Sequence, residues 1–175
     1  MSRWLRFAPL VLLILLMAGL AWRLAIPPDN NVRSKLEGHP IPAFALAASL
    51  PAKPGLASGD LAGGTPRLLN IFASWCVPCI TEARVLGALQ REGVAIDGIA
   101  VRDRPEDIAR FLAQHGDPYQ RIGSDPQSAV QIALGSAGVP ESFVVDGRGV
   151  IRYQHIGAIE PSDIPTILAK LEAAK

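Results

Sequence analysis

One stretch limits what this chain can become. Leu68-Leu69-Asn70-Ile71-Phe72 runs directly into Ala73-Ser74-Trp75-Cys76-Val77-Pro78-Cys79, and a helical pattern continues from Pro78 to Glu92. A short apolar run predicts a buried strand, and the 3.6-residue spacing of Ala83, Leu86 and Leu89 predicts a helix packed back on it. Between them stand the only two cysteines among 175 residues. Cys79 falls in the first helical turn, where unpaired backbone N–H groups and the positive end of the helix dipole stabilise a thiolate. The pair therefore reads as a redox dithiol.

Three other readings compete for it. A structural disulfide gains its stabilisation by closing a long loop, and a two-residue gap constrains almost nothing in the unfolded chain. Structural zinc needs four ligands, but there is no second cysteine pair, and His39, His115 and His155 are scattered without ligand spacing. A soft ion such as Cu(I) needs only the two thiolates and a histidine, and the sequence alone does not place His155 at the site.

The compartment follows from the other end of the chain. Phe7 to Trp22 carries no charge, with Arg3 and Arg6 before it and Arg23 after it. Basic residues ahead of an apolar run place that end in the cytoplasm, and Trp4 and Trp22, about 27 Å apart on a helix, suit two interfacial anchors. Residues 1–26 are thus expected to be a transmembrane signal-anchor, 27–35 a polar, proline-led linker and 36–175 one exported domain. A signal peptide cut at Gly19-Leu20-Ala21 is the alternative. Beyond residue 26 the charge is 14 basic against 16 acidic side chains. With no basic cluster there, nucleic acid is not an expected partner.

Further along, Pro42, Phe44 and Leu46 alternate as in an edge strand, and Asp60-Leu-Ala reads as a turn of helix. Val94 to Val101 is a second apolar strand. A helix starts near Pro105, with Ile108, Phe111 and Leu112 inward, and ends at Gly116-Asp-Pro-Tyr119, where the Pro118-Tyr119 loop is expected to border the substrate groove. Ser128 to Leu134 reads as a short helix. Ser142 to Val145 and Val150 to His155 flank Asp146-Gly-Arg-Gly149 as a β-hairpin. Ser162 or Asp163 is expected to cap a last helix running through Ala173. Phe72 is expected in the core, His39 in a surface loop, and Asp97 has no evident role. This order predicts an α/β fold, a central mixed sheet flanked by helices.

The element order, Trp75-Cys76-Val77-Pro78-Cys79 and Gly138-Val139-Pro140 before the hairpin together resemble the thioredoxin-like family over residues 36–175. Within it, Gly138-Val-Pro-Glu-Ser-Phe143 and His155-Ile-Gly157 are similar to the membrane-anchored proteins of cytochrome c maturation known as CcmG or DsbE. The resemblance implies a thiol:disulfide oxidoreductase with no cofactor and no metal. Cys76 would be the exposed attacking thiolate and Cys79, behind Pro78, the resolving thiol. Pro140 would be cis and face the cysteines, Val139 would offer its backbone to the substrate, and Trp75 would join the docking surface. Thioredoxins carry a buried Asp where this chain has Asn70, so another group must manage protons, and Glu141 is the expected one. The resemblance further implies a single-pass protein of the bacterial inner membrane with a periplasmic catalytic domain. Its electron donor would be a membrane thiol transporter. Its acceptor would be apocytochrome c, or a cysteine-bearing maturation partner, kept reduced for haem attachment. An exported reductant of a copper-site protein, a general disulfide exchanger and a copper-binding assembly factor remain as alternatives.

Overall fold

The computed structural model describes residues 7–25 and 36–175, and the chain divides into two units, 1–32 and 33–175. In the first, α1 (Ala8–Ala25) is apolar around its whole circumference as far as Trp22, and its large side chains from Leu10 to Trp22 are all more than half exposed. Among the described residues no helix is long and apolar enough to cross a membrane. Eighteen residues rise about 27 Å against a hydrocarbon core of about 30 Å, and Arg23 occupies the last turn. The expected linker, 27–35, lies outside the described residues.

In the second unit a five-stranded sheet runs in the order β5 (Arg121–Asp125), β4 (Ile96–Val101), β3 (Arg67–Phe72), β6 (Glu141–Val145), β7 (Ile151–Ile156). β3, β4 and β5 are parallel, while β6 and β7 return antiparallel. β3 is buried from Leu68 to Phe72, as a central strand covered on both faces must be. The parallel pairs require crossovers, supplied by α2 (Val77–Arg91) and α3 (Pro105–His115), and right-handed connections in the same direction put both helices on one face. Phe72 stacks on Phe111 of α3, with ring centroids 5.8 Å apart. The short α4 (Ala129–Ala133) leads back to β6, and α5 (Ile164–Ala173) closes the chain after a 3-10 turn over Pro161–Asp163.

Several expectations need correcting. β5 was not anticipated, since Arg-Ile-Gly-Ser-Asp has a single large apolar residue. It is held by backbone pairing to β4 and by the segment before β3. The Ser49 and Ser124 N–H groups donate to the Ile122 and Ala47 carbonyls. Leu46 and Leu56 press on Gly123, where a Cβ would stand 2.7 Å from the Leu46 Cβ. The edge strand expected at 42–46 shrinks to β1 (Ala45–Leu46), which pairs with β2 (Leu56–Ala57) outside the main sheet, while Pro40 bridges Val150. Asp60-Leu-Ala lies in a 3-10 helix, Ser58–Ala62. Neither Ser162 nor Asp163 caps α5 through its side chain; the Asp163 carboxylate accepts the Glu160 N–H instead. The hairpin, α2 and α3 stand as expected.

Register sets what each face holds. Asn70 lies opposite Gly98 and Ser142, and Ser142 opposite His155. Ile71, one residue on, lies opposite Ile99 and Glu141, so Asn70 and Glu141 project from opposite faces.

Candidate active site

β3 ends against the loop between β4 and α3, and that loop fixes the turn carrying the cysteines. The Asp103 carboxylate accepts the Ser74 N–H at 2.5 Å, the Ser74 hydroxyl at 2.7 Å and the Arg104 N–H at 2.9 Å. The Trp75 indole N–H donates to the Arg102 carbonyl at 3.2 Å, and Arg102 itself adopts a left-handed φ of 48°. A non-glycine residue pays roughly 1–2 kcal/mol for that conformation, so the surrounding contacts must hold it there. Trp75 stays 58% exposed, which separates it from the core residue Phe72, 1% exposed.

Cys76 is the N-cap of α2 and is joined to Cys79 by a disulfide. Its sulfur accepts the Cys79 N–H at 3.2 Å, and its carbonyl accepts the same N–H at 3.1 Å. Pro78 sits in the first turn, where its missing N–H costs no hydrogen bond. On reduction, a thiolate at Cys76 would inherit both the N–H and the helix terminus. The two cysteines differ little in exposure, 4% against 2%, so the sequence expectation of one exposed and one shielded sulfur is muted in the disulfide form. What distinguishes them is position at the cap versus inside the first turn.

Across the site the Val139–Pro140 peptide is cis. Pro140 is buried and Val139 half-buried. A groove of about 240 Å³ runs between Trp75 and Arg102 on one bank and Gln131, Ile132, Gly138 and Val139 on the other. Its second bank is braced from behind. The Asp125 carboxylate accepts the Ala129 and Gln131 N–H groups and so caps α4, a role Ser128 does not fill. Gln131 and Ser136 side chains both donate to the Gly138 carbonyl at 3.0 Å.

Glu141 is buried directly after Pro140. Burial raises its pKa, while hydrogen bonds from Ser136, Ala137 and Gly138 act the other way. Its carboxylate accepts the Ala137 N–H at 3.2 Å and the Gln154 side-chain amide. Among the described residues its hydrogen-bond partners are thus the loop before Pro140 and β7, with no bond to either sulfur. It lies on the face opposite Asn70.

The acid that sequence reasoning missed is Glu82. It sits one turn beyond Cys79 on the same side of α2 and is 1% exposed. Oε1 accepts the Ile159 N–H at 3.1 Å and Oε2 the Asn70 side-chain amide at 3.2 Å. Burial, only partly offset by those two bonds, raises its pKa to about 7. The signal was present: Glu82 lies on the stripe Cys79, Ala83, Leu86, where an acid is out of place unless it is used.

Other residues settle into structural positions. Asp97 is fully buried and pairs with Arg67 at 2.6 Å. Tyr119 does not border the groove; it is 3% exposed, stacked on Phe72 at 4.7 Å. His39 is exposed. His155 faces the Ala158 carbonyl and Asp163, and among the described residues no group of three or more His, Cys, Asp or Glu is arranged to hold a metal ion.

Comparison with known proteins agrees with this geometry. Residues 36–171 match the Redoxin family. The chain is 34% identical over 161 residues to the thiol:disulfide interchange protein DsbE of Tatumella citrea, spanning 90% of this chain and 87% of that one. It is 36% identical to the thiol:disulfide interchange protein HelX of Rhodobacter capsulatus, over 91% of this chain and 90% of that one. A Chlorobium tepidum structure assigned as DsbE superposes with a TM-score of 0.65 at 26% identity, covering 79% of this chain and 96% of its own.

Proposed function

This chain belongs to the Redoxin family, with the thiol:disulfide interchange proteins DsbE and HelX among its relatives, and from that premise we propose that it is the membrane-tethered reductant of a cytochrome c maturation pathway. It is a thiol-disulfide oxidoreductase whose redox group is the Cys76–Cys79 pair. The observation that carries the reading is the placement of that pair at the cap of α2, beside a groove bounded by exposed Trp75 and by Val139 before the cis proline.

In the reduced protein the Cys76 thiolate attacks one sulfur of a substrate disulfide, and the other substrate sulfur leaves as a thiolate and is protonated. The Cys79 thiol then gives up its proton, and its thiolate attacks the Cys76 sulfur of the mixed disulfide. The second substrate thiolate departs and the Cys76–Cys79 bond is restored. Two electrons pass from protein to substrate, and of the two protons that end on the substrate thiols one is the Cys79 proton, passed on by its acceptor, and the other comes from solvent. The Val139 backbone aligns the substrate strand, and Trp75 covers it. Glu82, with a pKa near 7 and a site one turn behind Cys79, receives the resolving proton. That role was expected of Glu141, whose carboxylate instead braces the Ala137–Gly138 loop and so holds Val139 in place. A neutral Asn70 is then intelligible, because the ionisable group has moved from the strand to the helix.

The substrate is a CxxCH disulfide of apocytochrome c or of a cysteine-bearing partner, and the oxidised protein is recharged by a membrane thiol transporter. Tethering by residues 1–26, with the catalytic domain in the periplasm, keeps it beside that donor. Arg3, Arg6 and Arg23 flanking the apolar run support this, as does the exposed apolar surface of α1 from Leu10 to Trp22. The test is to express full-length Cys79→Ser in cells that make c-type cytochromes and to identify the adduct in the membrane fraction. Recovery of an apocytochrome or a haem-attachment protein is expected. Recovery of a copper-site protein, or an adduct found only in the soluble fraction, would overturn the assignment.

A further inference from the structure

Behind the active site a buried polar chain leads away from Glu82 to a residue that touches neither sulfur nor groove. We propose that Tyr119 is a positioning residue for the Glu82 carboxyl, acting through the Asn70 amide. The inference rests on the reading that Glu82 receives the Cys79 proton.

The geometry leaves Asn70 one orientation. Its Oδ1 accepts the Tyr119 hydroxyl at 2.8 Å, and its Nδ2 donates to Glu82 Oε2 at 3.2 Å and to Ser142 Oγ at 3.0 Å. Asn70, Glu82, Tyr119 and Ser142 are all buried, so each of these bonds must be made within the protein. An amide offers an acceptor at one end and donors at the other, and Oδ1 needs a donor of its own if both N–H groups are to face Glu82 and Ser142. The Tyr119 O–H, a donor to Oδ1, points the N–H pair at Glu82. Without it the amide is free to turn Oδ1 toward the carboxyl, where two acceptors repel and the ionised acid is disfavoured.

Tyr119 is held for this task from three sides. Its ring stacks on Phe72 at 4.7 Å and 13° between planes. The stack fills the space above Gly98, where a Cβ would lie 2.9 Å from Phe72 Cε1 and 3.0 Å from Tyr119 Cδ1. Its N–H donates to Asp117 Oδ1 at 3.1 Å, its carbonyl accepts the Lys53 ammonium, and Lys53 pairs with Asp117 at 2.8 Å. Burial also pushes the phenol well above its usual pKa, so it remains a donor at every pH at which the protein works.

Among the described residues, the ionisable groups around Glu82 are few. Tyr119 comes from the segment before β5 and Cys79 from α2 itself. From β7, His155 lies beyond Ser142 in the same cross-strand row, with Asp163 ahead of α5 at 3.7 Å from it. Asp117 and Lys53 lie behind the Tyr119 backbone. Tyr119→Phe removes its own hydroxyl and leaves all the others in place, along with the ring stack.

The experiment follows the Glu82 carboxyl by carbon-13 NMR titration in the oxidised full-length protein, together with the pH profile of mixed-disulfide resolution. The wild-type carboxyl should titrate near 7. Tyr119→Phe should move the midpoint up by about one unit, because the ionised form loses an aligned donor, and the resolution profile should move with it. Asn70→Ala should shift it the same way, and adding Tyr119→Phe to Asn70→Ala should do nothing more. An unchanged midpoint in Tyr119→Phe, with Asn70→Ala shifted, would overturn the proposal while leaving Glu82 its role. If Glu82→Gln leaves the resolution profile unaltered, the proton role of Glu82 fails, and the carboxyl titration still decides what Tyr119 does. Should Tyr119→Phe not fold, 3-fluorotyrosine at 119 keeps ring and hydroxyl but strengthens the donor, and the midpoint should then fall; no shift would count against the proposal.

Discussion

In the proposed mechanism proton traffic turns on Glu82, and the cost of burying that acid can be signed. The folded-state pKa of about 7 lies above the free value of 4.5, so the native chain holds the proton more tightly than the unfolded one. Its contribution is complete below about pH 4.5 and is lost as pH rises through 7, with an upper limit of roughly 3 kcal/mol. Glu82→Gln removes that dependence. Urea unfolding of the oxidised protein should show wild type losing stability relative to the variant between pH 4.5 and 7; a constant difference across that window would contradict the burial argument. Cys76 and Cys79 were legible in sequence because spacing alone restricts their chemistry. Pro140 was legible only through resemblance, since nothing local distinguishes a cis proline. Glu82 was hidden by convention, because acids are assigned to the wet side of a helix unless periodicity is followed strictly. Tyr119 was hidden by distance, as it meets Asn70 across 49 residues of sequence.

Elements meet at the loop between β4 and α3, which acts as the clamp on the start of α2. Asp103 satisfies two donors of Ser74 and one of Arg104, so removing its carboxylate leaves part-buried groups unpaired. Asp103→Ala should cost about 1–3 kcal/mol in urea unfolding and slow disulfide exchange, because Trp75 loses the loop that orients its indole. A variant that lost neither stability nor rate would show that the turn at 73–76 is held by β3 and α2 alone. Strands and helices with strong periodicity were legible, and β5 was not. Ile122 is its one large apolar side chain, and its place in the sheet comes from β4 and from residues 47–54, partners that no local pattern reveals. β1 failed in the opposite sense: the alternation of Pro42, Phe44 and Leu46 was real, but Pro40 and Pro42 lack the N–H groups a longer ladder needs.

At the scale of the whole chain, two units carry different information. Residues 36–175 fold around a sheet whose centre, β3, delivers the cysteines to a helix cap, with a buried acid on one face and a loop brace, Glu141, on the other. Residues 8–25 form a helix that is apolar on every side up to Arg23 in its last turn, and water would leave its apolar surface uncompensated at about 25 cal/mol per Å². The central claim concerns the unit that holds the sheet: Cys76 attacks and Cys79 resolves. It is tested most directly by mixing the reduced, purified full-length protein with an oxidised Cys-x-x-Cys-His peptide, quenching with acid and mapping the products by mass spectrometry. Wild type should convert one peptide disulfide to a dithiol for each Cys76–Cys79 bond formed, Cys79→Ser should stop at an adduct through Cys76, and Cys76→Ser should form none. An adduct through Cys79 alone, or a wild-type protein that leaves the peptide oxidised, would contradict the account.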